Sequence, residues 1–272
     1  MKRPYFSVII PALNEEKFLP HLLASLSVQT KKNFEVIVVD GHSKDKTVMV
    51  ARTYASKLPR LTVLVSEKSS LPLQRNMGAR KARGEWYVFA DADSVLLPYF
   101  IDRIEQYILT HTPKLFTPWA SPDSENPKDA QFTLFANVYI ESTAIFKRPL
   151  APGPLTIVHQ SAFDAVGGYD EAHKFHEDVD FGLRLFQKGI RLEILPETLY
   201  VWSLRRFRSQ GTLKVLNQYI LGVLPVFFNR SFKHMPGYVM GGQLYSKRKK
   251  LNRSVLRVYE KKLKALLREL FV

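Results

Sequence analysis

Trp86-Tyr87-Val88-Phe89-Ala90-Asp91-Ala92-Asp93 is the stretch on which the fold turns. Its first five residues read as a strand buried on both faces, the kind found in parallel sheets. Gly84-Glu85 stands before it and Ser94 after it, so the two carboxylates fall where the strand ends and the chain turns. Residues i and i+2 of an extended segment project to the same side, so Asp91 and Asp93 can address one object. Two close anions repel unless a cation lies between them. A hard divalent ion such as Mg²⁺ or Mn²⁺, itself carrying phosphate oxygens, suits such ligands. The same residues also suit a plain strand-end turn, where Asp is common, and the rest of the chain decides between the two.

Upstream of that strand the chain alternates strand-like and helix-like segments. Phe6 to Ile10 is a short apolar strand. Asn14 can cap a helix carrying Phe18, Leu19, Leu22, Leu23 and Leu26 on one face. Phe34 to Val39 is a second strand ending in Asp40, and a polar loop, Gly41 to Thr47, leads to a short helix. Leu61 to Val65 is a third strand, and Gln74 to Ala82 a short helix. Repeated βα units imply a mostly parallel sheet with helices on both faces, which binds ligands beyond the carboxyl ends of its strands. Asp40, Asp91 and Asp93 all sit at such ends, so they are expected to share one crevice.

Downstream the alternation loosens. Helices are expected from Tyr99 to about His111, from Gln131 to Phe146 and from Asp178 to Lys188, the last stopped by Gly189. Ser121 to Asp129 reads as a loop and Leu155 to Val158 as a strand. Lys147 to Pro154 holds three prolines and a glycine and predicts irregular, lid-like backbone.

The 272 residues suit one sizeable domain with an appendage, and 46% apolar content is enough for a core. The absence of cysteine excludes disulfides, thiolate metal sites and a cysteine nucleophile. The first apolar run is soon broken by Pro11 and Asn14-Glu15-Glu16, unlike a secretory leader. No stretch of about 20 apolar residues predicts a membrane-spanning helix. From Ser203 to Val272 there are 16 Lys/Arg against 2 Asp/Glu, so that segment holds nearly all of the net +15. Such asymmetry suggests an anionic surface as partner. Ser254 to Phe271 spaces Val255, Leu256, Tyr259, Leu263, Leu266, Leu267 and Leu270 as one apolar helix face with basic residues opposite. That pattern suits a bilayer better than a nucleic-acid groove, and no nucleic-acid module is legible.

Several motifs, in order, resemble family 2 glycosyltransferases of the GT-A fold. Phe6 to Glu16 is similar to their opening strand, and Val38-Val39-Asp40 with Gly41 to Thr47 to their second strand and loop. Arg75-Asn76-Met77-Gly78 and Ala82-Arg83-Gly84-Glu85 match the approach to the Asp pair. Gly167-Gly168-Tyr169-Asp170-Glu171 and Glu177-Asp178-Val179-Asp180-Phe181 match the acceptor-side motif. The resemblance covers roughly residues 5–210. It implies an α/β, Rossmann-like GT-A domain over 1–210, followed by a basic, partly apolar helical extension over 211–272.

The resemblance further implies roles. Asp91 and Asp93 hold Mg²⁺ or Mn²⁺ on the diphosphate of a UDP- or GDP-sugar, with His159 a further metal ligand by the same analogy. Asp40 takes hydrogen bonds from the base or ribose; Pro11, Ala12 and Glu15 line the nucleotide site; Arg75 meets base or phosphates. Asp178, opening a helix whose dipole favours a carboxylate, is the base of an inverting transfer. Arg206, with Arg205 and Arg208, holds a phosphate of donor or acceptor. The Gln-x-x-Arg-Trp pattern of processive relatives is absent, which implies single transfers. The expected protein is a metal-dependent enzyme acting on a lipid-linked or glycan acceptor, peripheral at the cytoplasmic face of a membrane. Two rivals remain at this point: a haloacid-dehalogenase-type phosphatase, whose nucleophilic Asp also follows a strand, and a non-catalytic polyanion-binding protein.

Overall fold

The computed structural model describes residues 3–145 and 152–210. Four strands, β1 (Phe6–Ala12), β2 (Phe34–Asp40), β3 (Leu61–Val65) and β4 (Trp86–Ala90), run parallel in the order β3-β2-β1-β4. Helices α1 (Leu19–Ser27), α2 (Thr47–Arg52) and α3 (Leu71–Lys81) connect them. Every residue of β1, β2 and β4 is buried, as expected of strands covered on both faces. Val8 and Ile10 pack with Leu19, Leu22 and Leu26 of α1 on one side. Ile9 faces the other side with Phe89, Phe163 and Phe181. That alternation places a helical layer on each face.

The registers bring the functional strand ends level. Ala12 pairs with Asp40, and Ile9 with Phe89. Extending the second register by two residues sets Asp91 beside Pro11. Helix α3 lies close against β1 because Gly78 carries no side chain: a Cβ there would sit 2.3 Å from Ile9 Cγ2.

The second half completes a mixed sheet. It comprises β5 (Val95–Leu96), α4 (Phe100–His111), β6 (Leu115–Pro122), α5 (Pro127–Ile145), β7 (Leu155–His159), α6 (Gln160–Ala165), α7 (Glu177–Gln187), β8 (Leu192–Trp202) and α8 (Arg205–Gln210). Among the described residues the strand order is β3-β2-β1-β4-β7-β6-β8-β5, with β7 antiparallel to both β4 and β6. The parallel pattern therefore holds for the first half and gives way at β7.

Strands β6 and β8 escape sequence reading because prolines interrupt them. Pro118 and Pro122 fall in β6 and Pro196 in β8, and the β6–β8 register shifts between Pro118 and Ala120. Proline in a strand is tolerated at such irregularities, where a ladder hydrogen bond is already missing. The Asn14 cap is also corrected. Asn14 adopts φ +54 outside the helix, and its Oδ1 accepts from Lys44 N at 2.8 Å. Phe18 stands at the N-cap instead. Most of the expected irregular segment, residues 147–151, and the whole extension 211–272, with its amphipathic helix, lie outside the described residues.

Candidate active site

Three consecutive residues of α3 tie the crevice together. Gln74 Nε2 donates to Ala12 O (3.0 Å) and Val39 O (2.7 Å), pinning the ends of β1 and β2. Arg75 is 2% exposed. Its Nη1 reaches Glu177 Oε1 at 3.2 Å, and its Nη2 reaches Gly153 O at 2.9 Å and Asp91 Oδ1 at 3.5 Å. The guanidinium also lies over the Tyr169 ring, 5.0 Å from its centroid. Asn76 behaves like a strand partner of Tyr169, accepting from its N (2.9 Å) and donating to its O (2.8 Å). A single helix thus joins the nucleotide end of the sheet, the Asp pair and the acceptor-side motif.

Asp40 sits at the end of β2 with 1% exposure; one carboxylate oxygen accepts from Ser43 N at 2.9 Å. The other, Oδ1, is buried without a hydrogen-bond partner. An unsatisfied buried acceptor is costly and suits an incoming N–H or O–H group. Pro11 and Ala12 end β1 beside it, in register with Val39 and Asp40.

Asp91 remains 36% open to solvent on its side chain. Partial burial and the carboxylates of Asp93, Glu177 and Asp178 raise it, against the pull of Arg75. Asp93 Oδ2 is held by Arg205 Nε at 2.6 Å. Arg205 is bidentate to Glu15, with one contact at 2.8 Å, and stacks on Phe18 at 4.3 Å. Burial pushes Glu15 up to about 7, against the attraction of Arg205. Asp91 and Asp93 offer oxygen donors of the type that a hard divalent cation takes, with Arg75 and Arg205 lying against them.

Helix α7 presents the acceptor-side carboxylates. His176, at φ +57, turns the chain sharply into the helix, so that Glu177 and Asp178 open its first turn. Asp178 Oδ1 accepts from Val179 N at 2.8 Å. Burial and the adjacent Glu177 push Asp178 up to about 7, although Arg75 and the helix N–H groups draw it down. A carboxylate near neutrality is well placed to accept a proton.

Gly153 explains why the segment before β7 matters. A Cβ on it would lie 2.7 Å from Asp178 Oδ2, and its own carbonyl holds Arg75. With Pro152 and Pro154 on either side, the backbone has little room to yield. Gly153→Ala is therefore expected to push the Asp178 carboxylate aside and lower turnover about tenfold or more, with little loss of stability. Steady-state kinetics beside thermal melts would check it, and unchanged turnover would contradict it.

Several sequence expectations need correction. His159 is not beside the Asp pair. It pairs with Trp86 at the opposite end of β4, whereas Ala90 pairs with Leu155, so about four strand residues, roughly 13 Å, intervene. There His159 caps α6 by accepting from Ser161 N and contacts Glu85 at 3.2 Å. Arg75 turns into the carboxylate cluster, so its geometry is that of a positioning residue rather than a nucleotide contact. In α8, Arg205 reaches Asp93 and Glu15. Arg208 is occupied with Asp123 and Asp129, fastening α8 to the β6–α5 connection. Glu15 borders the site, but through Arg205.

Sequence reading missed Gln74, Gly153 and the Arg75–Glu177 pair. A glycine between two prolines was the only local sign of a close approach. Asp170, His173 and Asp180 also gather, their ligand atoms within 4.8 Å of one another. Arg184 binds Asp180 at 2.7 Å and Val166 O at 2.6 Å, which makes this group a clasp between α7 and the loop before it.

Comparison with known proteins agrees with this geometry. The profile described as "Glycosyl transferase family 2" matches residues 7–165, more than half of the chain. The chain belongs to glycosyl transferase family 2. An uncharacterized glycosyltransferase of Haemophilus influenzae is 30% identical over 197 residues, covering 67% of this chain and 62% of that protein. The Staphylococcus aureus TarS 1–349 structure in complex with UDP-GlcNAc superposes with TM-score 0.60 at 23% identity, over 73% of this chain and 58% of that one. The mannosyltransferase PcManGT of Pyrobaculum calidifontis, in complex with GDP-Man and Mn²⁺, gives TM-score 0.60 at 20% identity, over 97% and 75%. The chain spans about three fifths of the length of the Haemophilus relative. Its fold is that of GT-A proteins, and the family match tells against the phosphatase reading.

Proposed function

We propose that the enzyme is a metal-dependent, inverting transferase that moves a sugar from a UDP- or GDP-sugar to a hydroxyl of a lipid-linked or glycan acceptor at a membrane surface. The observation that carries this reading is the Arg75 bridge, which holds Asp91, on the donor side, and Glu177-Asp178, on the acceptor side, around one buried guanidinium.

Asp40, Pro11 and Ala12 receive the nucleoside, with the free Asp40 oxygen accepting from base or ribose. Asp91 and Asp93 would hold Mg²⁺ or Mn²⁺, which supplies charge neutralisation for the departing diphosphate. Asp178 takes the proton from the acceptor hydroxyl. The acceptor oxygen then bonds to the anomeric carbon as the carbon–oxygen bond to the diphosphate breaks, and opposite-face attack inverts that centre. Arg205, close to Asp93, is placed to follow the phosphates. Support for a lipid-linked acceptor comes from the basic, apolar-faced extension after residue 203.

Calorimetric titration of UDP, GDP, CDP and dTDP, with and without Mn²⁺, is the direct test. The expected result is metal-dependent binding of one nucleotide, weakened about a hundredfold or more in Asp93→Ala. Binding indifferent to both metal and Asp93 would remove the metal from the reading; no binding would remove the donor.

A further inference from the structure

Helix α5 packs Phe132, Tyr139 and Ile140 inward and still leaves apolar side chains outward. Its inward side carries Asn137, which accepts from Ala120 N at 3.0 Å and donates to Ala120 O at 2.9 Å, fixing the helix to β6 through polar bonds. The buried Thr133 and Thr143 bond back to helix carbonyls. Its outward side presents Leu134, Phe135 and Val138, which are 57%, 66% and 52% exposed. Val138 stands four residues from Leu134 and three from Phe135, so each of those two borders it on the helix surface and the three form a single patch. The other exposed large apolar residues described, Val28, Met49, Val65 and Leu109, are scattered in sequence over different elements. Scattered residues of that kind need no partner, whereas a grouped face does.

We infer that this face of α5 seats in the interfacial layer of an anionic phospholipid bilayer. The argument for that occupant is charge and continuity. Helix α8 packs on the first half of α5, through Phe207 on Phe132 at 4.5 Å and Arg208 with Asp129 at 3.2 Å. From α8 the chain passes into residues 211–272, which hold 13 Lys/Arg against 2 Asp/Glu. Lys147-Arg148 follows the other end of α5 in sequence. An exposed apolar patch, followed in sequence by Lys147-Arg148 and packed by the helix that leads into the basic residues 211–272, joins apolar to cationic character, the combination that anionic lipid attracts.

The inference deepens the membrane-surface reading above and rests on it for its consequence. Only seven residues separate Ile145, the last of α5, from Gly153, which touches Arg75 and abuts Asp178. Seating α5 in the bilayer would hold the enzyme at the surface on which a lipid-linked hydroxyl is presented.

The test uses the full chain and vesicles of phosphatidylcholine with phosphatidylglycerol, sedimented in high salt so that the apolar contribution dominates. The triple variant Leu134→Ser, Phe135→Ser, Val138→Ser is expected to partition about tenfold or more weakly than the wild type. In a separate Phe135→Trp variant, brominated lipid is expected to quench the added indole. Nucleotide binding by the triple variant, followed on the same preparation, separates lost membrane seating from lost folding and from failure of the glycosyltransferase donor reading. Equal partitioning with no quenching would overturn the inference. So would a wild-type dimer that the triple variant abolishes without changing vesicle binding, because a second copy would then cover the face.

Discussion

Asp178→Asn is expected to lower turnover by about 10²–10⁴-fold while leaving nucleotide affinity nearly unchanged. The amide keeps the shape of the carboxyl and an oxygen for Val179 N, but it cannot accept a proton from the acceptor hydroxyl. Asp40, Asp91 and Asp93 stay in place, so the donor side loses nothing. The pH profile offers a second readout. Burial and Glu177 push the Asp178 carboxyl up to about 7. The wild-type rate should therefore rise through pH 7 and fall about tenfold for each unit below it, as the base becomes protonated. Stability should move in the opposite direction. The folded carboxyl titrates near 7, well above its ordinary 3.8, so the proton is held more tightly in the native state. Its favourable contribution is present in acid and is lost as pH rises through 7. Asp178→Asn is therefore expected to be more stable than the wild type at pH 8, with the gain vanishing toward pH 4. A variant that retained turnover, or a flat wild-type profile across pH 7, would take the base role away from Asp178.

How far the sequence is legible follows from how local each signal is. The parallel half could be read because β1, β2 and β4 are uninterrupted apolar runs with polar loops between them, and such runs have one comfortable place in an α/β sheet. Asp40 and the Asp pair could be assigned to one crevice because a strand end is a local property. The second half resisted because Pro118 and Pro196 break the two longest strands where the sheet is itself irregular, and Pro122 ends one of them. His159 illustrates the cost of missing strand direction. The residue does end a strand, but β7 runs antiparallel to β4, and its end lies away from the crevice. Arg75 illustrates long-range pairing: its partners Gly153 and Glu177 stand 78 and 102 residues away, and no spacing rule reaches them.

Arg75→Met should destabilise the enzyme by about 3–5 kcal/mol, the cost of leaving buried carboxylates without their counter-charge. For a domain of this size that corresponds to a fall in Tm of roughly 10 °C. The native guanidinium is 2% exposed and serves Glu177, Asp91, the Gly153 carbonyl and the Tyr169 ring at once. Methionine fills much of the volume but none of the charge, so Glu177, Asp91 and Asp178 would repel one another across the gap. Adding Glu177→Gln should recover part of the loss, because the pair couples through one contact and a double-mutant cycle isolates it. Arg75→Lys should recover less than the native residue gives. An ammonium cannot span two carboxylates and a carbonyl with a planar fork, nor stack on tyrosine in the same way. The loss should also be smaller in acid: without Arg75, which draws both down, the Asp91 and Asp178 carboxyls hold their protons to higher pH, and stability declines as pH rises through their folded values. If Arg75 acted only on the nucleotide, Arg75→Met would weaken donor binding and leave the melting temperature in place. Melting curves taken without nucleotide at acidic and alkaline pH therefore distinguish the two roles, and they bear on catalysis as well. On the proposed mechanism the residue that holds Asp91 near Asp178 would set the distance between the leaving group and the base, so the stability lost without it should be accompanied by a lower kcat in whatever fraction remains folded.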